Sequence, residues 1–203
     1  MSAVTAADTS LLVFRIGLGV VFAAHGCNHI FGGGKIAGTG RWFESLGMRP
    51  GLLHAWTASI TELGAGALLL LGLATPLACG GVIGTMVVAW ITNHRRNGFF
   101  IFRPGEGYEY VMTLTLAAIG LAGIGPGQWS LDHALGWFDP PGWIGLGVAL
   151  AAGLGGGAGL LAFYWRPTPA PATEPDALQR HDGGDRSRPR HRRRGASGGG
   201  ARP

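Results

Sequence analysis

Five apolar runs, separated by short polar or glycine-rich stretches, set the plan of the chain. The first, Leu11 to Phe31 (LLVFRIGLGVVFAAHGCNHIF), has about the 20 residues that cross a hydrocarbon core of about 30 Å. Polar groups interrupt it: Arg15 near its start, and His25, Asn28 and His29 in its second half. At about 100° per residue, Arg15, Phe22, His25 and His29 share one quadrant of a helix, with Ile16, Val20 and Ala24 opposite. Polar groups are costly against lipid, so this stripe predicts a helix whose polar face turns to other helices or to a water-filled cavity. The later runs supply those partners: Leu52–Leu73 with Glu62 at its centre, Leu77–Thr92, Tyr108–Ile124, and Trp143–Trp165 with aromatics at both ends. The turn at Ala74–Pro76 is short enough to make the second and third spans antiparallel neighbours.

Between the spans lie FGGGKIAGTGRWFESLGMRP (31–50) and NHRRNGFFIFRPGEGYEY (93–110), both basic and aromatic, as interfacial segments are. The first should hold a short amphipathic piece. The loop from Gln128 to Gly142 carries Asp132 and Asp139 and no Lys or Arg. The net charge of +5 belongs entirely to the end of the chain. Residues 1–165 are balanced, and residues 166–203 carry nine Arg with RPRHRRR at 188–194. That tail is too polar and too rich in Pro and Gly to bury a core and is expected to be disordered. A sequence-reading nucleic-acid domain is not indicated. Five spans put both basic loops and the Arg-rich tail on one side. The positive-inside rule then predicts an N-terminus outside and a cytoplasmic C-terminus.

The N-terminus has no basic n-region and no small-residue cleavage pattern, so a cleaved signal peptide is not expected. Cys27 and Cys79 fall near opposite membrane faces and read as free thiols. Gly80/Gly84, Gly153/Gly157 and Gly155/Gly159 have small-xxx-small spacing. In a chain with 38 glycines this reads as tight helix packing rather than a dimer seam.

The candidate chemistry lies inside the membrane. A carboxylate in mid-span must be paired, protonated or facing water, which singles out Glu62. His25 and His29 lie four residues apart on one face of the preceding span, and His25 comes within about 6 Å of the depth of Glu62 at 1.5 Å per residue, close enough to meet through a tilt, a water or Thr61. Three readings stay open for His25, His29 and Glu62. The cluster can hold the bundle together, exchange protons with a quinol or along a proton path, or bind a metal or haem. For a metal no carboxylate follows at metalloenzyme spacing, and for bis-histidine haem His54 and His94 stand near span ends, so no metal site is assigned. Walker and dinucleotide-binding motifs and a Ser/His/Asp set are not found. Arg95 and Arg96 with His94 read as lipid-phosphate contacts that set orientation.

Several stretches together resemble the DoxX family of small bacterial membrane proteins: RIGLGVVFAAHGCNHIFGG (15–33), GTGRWFESLGM (38–48), TELGAGALLLLGLATPLA (61–78), NGFF (97–100) and GYEYVMTLTLAAIGLAGIGPGQWSLDHALG (107–136). The resemblance implies a four-helix membrane bundle and an association with membrane redox complexes, including quinone-linked and thiol-stress systems. It places the family pattern on His25, Gly26, Phe43, Gly47, Glu62, Asn97, Gly98, Glu109, Ser130 and Asp132. A lysine common in the family stands here as His29, and the fifth span and the tail lie outside the likeness.

The reading is an all-α, multi-pass transmembrane helical bundle of four core spans plus a fifth. Its parts are an N-terminal segment (1–10), a DoxX-like domain (11–136), an additional transmembrane helix (137–165) and the tail (166–203). Its expected role is that of a membrane subunit of a quinone- or thiol-linked redox system, not an enzyme on its own. The bilayer, a membrane or peripheral redox enzyme and a second copy are the candidate partners, and a quinone is the one candidate cofactor. The alternative is a small-solute or proton permease, or an envelope scaffold.

Overall fold

The computed structural model describes residues 4–137 and 142–167. Asp139 and the tail beyond Pro167, including the Arg cluster, lie outside them. The described residues form helices and no strands. Helix α1 (Ala6–Phe31) begins five residues before the apolar run because Thr5 and Asp8 cap it reciprocally. The Thr5 backbone N–H donates to Asp8 Oδ2 (2.9 Å), and the Asp8 N–H donates to the Thr5 hydroxyl (3.3 Å). The two faces separate as the pattern predicts. Arg15 and Phe22 are buried and His29 half-buried, whereas Ile16, Val20 and Ala24 are exposed. His25, at the edge of the quadrant, is exposed.

The amphipathic piece of the first loop is α2 (Lys35–Ser45), followed by α3 (Gly51–Leu71). Helix α3 ends at Gly72, whose φ of +62° suits glycine alone at low cost; a Cβ there would press on the Arg15 guanidinium and on Ser130. Helix α4 (Thr75–Ala89) runs on into a π-helical turn, Trp90–His94. Helices α5 (Glu109–Ile124), the short α6 (Leu131–Leu135) and α7 (Trp143–Tyr164) complete the described chain. The sequence pattern did not show α6, since five residues inside a polar loop carry no periodicity.

Helix α1 packs mainly on α3, α3 on α4, and α4 on both α5 and α7. Leu18, Phe22, Leu69, Val82, Ile83 and Leu121 fill the centre. Three helices are long and apolar enough to cross a membrane by themselves: α1, α4 with its π turn, and α7. Helix α5 is apolar but only 16 residues long. Helix α3, at 21 residues, is long enough, but His54 and Glu62 dilute its apolar character. The molecule is thus an all-α membrane bundle in which α3, buried between α1 and α4, carries the polar load.

Helix α7 is not a loose appendage. Gly80 and Gly84 of α4 face Gly153 and Gly157 of α7 so closely that a Cβ at Gly153 would stand 2.8 Å from the Gly80 carbonyl oxygen. Two of the three small-xxx-small pairs therefore serve packing within the chain. Gly155 and Gly159 have open space instead. The end of α7 clamps the loop before α3: Trp165 Nε1 donates to the Leu46 carbonyl (3.0 Å), and the Arg49 N–H to that of Tyr164 (3.2 Å).

Candidate functional site

A cavity of about 550 Å³ lies inside the bundle, at the end that carries α2 and the 95–108 loop. Its walls come from α1, α2, α3, α4, α5 and α7, and most are apolar. The polar exceptions gather on a few elements. His25 and His29 come from α1, His54, Thr57, Thr61 and Glu62 from α3, Asn93 and His94 from the π turn, and Tyr110 from α5.

His29 and Glu62 are brought together. Nε2 of His29 stands 3.1 Å from Oε2 of Glu62, an ion-pair distance that lacks the alignment of a hydrogen bond. The crossing of α1 over α3 is tight enough for this because Gly26 sits at the contact; a Cβ on it would lie 3.1 Å from the Ser59 carbonyl oxygen. The Phe43 ring packs beside His29, with centroids 6.2 Å apart. His25 does not reach Glu62 as a partner. One turn before His29, it is hydrogen-bonded through Nε2 to the Tyr110 hydroxyl at 3.0 Å. The wall thus carries two titratable couples on successive turns of α1.

His54 is 3% exposed and faces the cavity. Neither of its ring nitrogens has a partner in strict hydrogen-bond geometry, although the Arg49 backbone lies within looser hydrogen-bonding reach. Its ring packs edge-on against Tyr164 at 5.0 Å. His94 is buried, not turned to lipid phosphate: its Nδ1 is 2.8 Å from the Glu106 carbonyl oxygen. Sequence reasoning had set His54 and His94 aside as span-end residues and had not singled out Tyr110. For His54 a signal was present, since His54, Ala58 and Glu62 repeat at four-residue spacing on one face of α3.

The other positions implied by the resemblance lie in turns and loops. Gly47 has φ +86° and its carbonyl accepts from the Arg166 N–H at 2.7 Å, locking the loop to the end of α7. The Asn97 amide donates to the carbonyls of Asn93 (3.1 Å), Glu106 (3.2 Å) and Gly105, drawing the 95–108 loop closed. Gly98, at φ +80°, accepts from the Tyr108 N–H, and Glu109 accepts from the Ile101 N–H at 3.2 Å. Ser130 caps α6 through the His133 N–H at 3.1 Å. Asp132, fully buried, accepts from the N–H groups of Ala74 (2.7 Å) and Thr75 (2.8 Å), and so caps α4 across the far end of the bundle.

Arg15, also fully buried, is the residue at that far end that sequence reasoning noticed without assigning. Its guanidinium donates to the carbonyls of Pro126 (3.0 Å), Leu69 (2.9 Å) and Trp129, and it feels the charge of Asp132. Among the described residues, no three His, Cys, Asp or Glu side chains are grouped as a metal site requires.

Helices long and apolar enough to cross a membrane, packed around an apolar-walled cavity, define a multi-pass membrane protein. The sequence model of the DoxX family matches residues 10–95. The chain is also 30% identical over 134 residues to Rv3486, an uncharacterized membrane protein of Mycobacterium tuberculosis, across 62% of this chain and 81% of that protein. The chain belongs to the DoxX family. The family match covers α1 through the π turn, and with them His25, His29, His54 and Glu62, whereas Asn97, Gly98, Glu109, Ser130 and Asp132 lie past its end. No solved structure matches the chain.

Proposed function

We propose that the protein is the membrane subunit of a redox system and that its cavity binds a quinone. One observation carries the reading: two hydrogen-exchanging couples, His29–Glu62 and His25–Tyr110, stand a helical turn apart on the wall of a mostly apolar chamber. A quinone has a flat apolar ring with two oxygens that accept hydrogen bonds, and in becoming a quinol it takes up two electrons and two protons. The couples suit the oxygens and their protons, and Trp42 and Phe43 on the cavity wall suit the ring. The electrons would come from, or go to, a partner oxidoreductase in or on the membrane. The positive-inside argument puts the cavity end, with its basic loops, on the cytoplasmic side of a bacterial inner membrane.

A proton or solute pathway is supported less well. Past the cavity, Leu18, Phe22, Leu69 and Leu121 are packed without exposure above 5%, and the Arg15–Asp132 cluster closes the far end. The test is quinone titration of the purified full-length chain in lipid nanodiscs, followed by quenching of tryptophan fluorescence. Glu62→Gln should keep the fold and weaken binding by about tenfold, the worth of one charge-assisted contact. Unchanged binding in Glu62→Gln, together with unchanged membrane quinol oxidation, would end this reading.

A further inference from the structure

The cavity does not stop at its polar wall. It extends away from α1 into a groove whose floor is α4 and whose sides are α3 and α7, two helices that barely touch. On the floor, Gly81, Thr85 and Val88 line the cavity beside Gly80 and Gly84, whose outer faces are taken up by α7, and Gly156 of α7 leaves the side open: a Cβ there would meet nothing within 4 Å. Thr57 on α3 and Gly156 on α7 both line the cavity and are both exposed, so no part of the described chain covers the space between the two walls there. Thr57 stands six residues into α3, and Gly156 eight residues before the end of α7. At 1.5 Å per residue those depths are about 9 and 12 Å. Both lie within a hydrocarbon core of about 30 Å. The gap therefore faces lipid tails, not water.

We infer that the groove between α3 and α7 is a side entrance from the bilayer, and that it holds the aliphatic tail of a membrane-resident quinone over the floor of α4. The identity of the head group rests on the function proposed above; the entrance rests on the groove. The polarity of the cavity matches such an amphiphile, with the titratable couples at the α1 and α5 side and a featureless apolar channel at the α7 side. The rim at Ile101 and Glu106, by contrast, opens among the loops at the end of the bundle, away from the depth of the lipid tails.

Gly156→Leu tests this without unpacking the bundle, because the new side chain grows into open space. Gly155→Leu is the control: it also has free space but does not line the cavity. The full-length chain in nanodiscs is titrated with a long-tailed isoprenoid quinone and with the same head group lacking the tail. Gly156→Leu should weaken the long-tailed ligand by about tenfold and move the tail-less one by less than about twofold, while Gly155→Leu changes neither. Equal weakening of both ligands by Gly156→Leu, or no effect on either, overturns the entrance. If the native chain binds neither ligand, the quinone reading fails by itself, and a diazirine-bearing fatty acid then decides the groove. Photoadducts on Thr57, Thr61 and Leu160 that vanish in Gly156→Leu support it. Adducts confined to outward residues such as Ile60 and Leu71 overturn it.

Discussion

Arg15 and Glu62 lie on neighbouring helices of one bundle, both withdrawn from solvent, and they are held in opposite ways. Arg15 spends its guanidinium on three backbone carbonyls, and Asp132 beside it spends both carboxylate oxygens on the first N–H groups of α4. Both charged groups of that cluster are spent on backbone partners, and the buried Thr75 hydroxyl beside them is its one described side-chain group without a hydrogen-bond partner. Glu62 instead faces His29 at 3.1 Å off the hydrogen-bond axis, and His54 has no aligned partner at all. Buried polar groups are almost always satisfied, so a satisfied cluster is ordinary structure, and unsatisfied groups around an open chamber call for another occupant. The far end of the bundle is built to stay shut, and the near end is built to receive.

The sharpest way to break this contrast is Asp132→Ala. Two buried N–H groups lose their acceptor at about 1–3 kcal/mol each, and Arg15 loses its counter-charge. Thermal unfolding in detergent should show a loss of about 3 kcal/mol or more, or failure to accumulate in the membrane. A near-native melting temperature would show that the two ends are not different after all. Next in size is Gly26→Ala. The added methyl would lie 2.8 Å from Leu63 Cγ and 3.1 Å from the Ser59 carbonyl, so α1 and α3 must separate. Overpacking of this kind costs about 1–3 kcal/mol. It should also weaken quinone binding, since the same crossing sets the His29–Glu62 distance. Stability lost with binding fully kept would separate the crossing from the site.

How far the sequence could reveal all this depends on the range of each interaction. The polar stripe of α1 was legible because it is periodic within one helix, and the buried and exposed faces fall where Arg15 and Ile16 put them. The membrane class was legible for the same reason. The partner of Arg15 was not, because its three carbonyls come from Leu69, Pro126 and Trp129, between 54 and 114 residues away, and backbone acceptors have no sequence signature. His25 was placed with Glu62 by its four-residue spacing from His29, but Tyr110 of α5 captures it, a contact across 85 residues. The start of α1 was missed because the apolar run begins at Leu11, whereas the cap is written in the polar pair Thr5 and Asp8.

Two smaller substitutions probe the receiving end, and the first should run against the usual direction of mutation. His54→Leu replaces a buried ring without aligned partners by an apolar side chain of similar reach. Losing an unsatisfied group is neutral or favourable, so the melting temperature should hold or rise, by the equivalent of up to about 1 kcal/mol. A clear loss of stability would mean that His54 already has its partner in the protein and is part of the framework.

Tyr110→Phe should have the smallest effect of the set. It removes one hydroxyl from a half-buried position, where a hydrogen bond contributes about 0.5–1.5 kcal/mol, and leaves the ring packing of α5 in place. Stability should fall at the low end of that range, because His25 is exposed and can turn to another donor. The informative readout is the comparison with Glu62→Gln in the same quinone titration. If both couples contact the head group, each substitution weakens binding by itself. The double variant should then weaken it by the product of the two factors, as independent contacts do. If Tyr110→Phe changes nothing, only the His29–Glu62 wall touches the ligand, and the His25–Tyr110 couple belongs with Arg15 and Asp132 among the contacts that merely hold helices together.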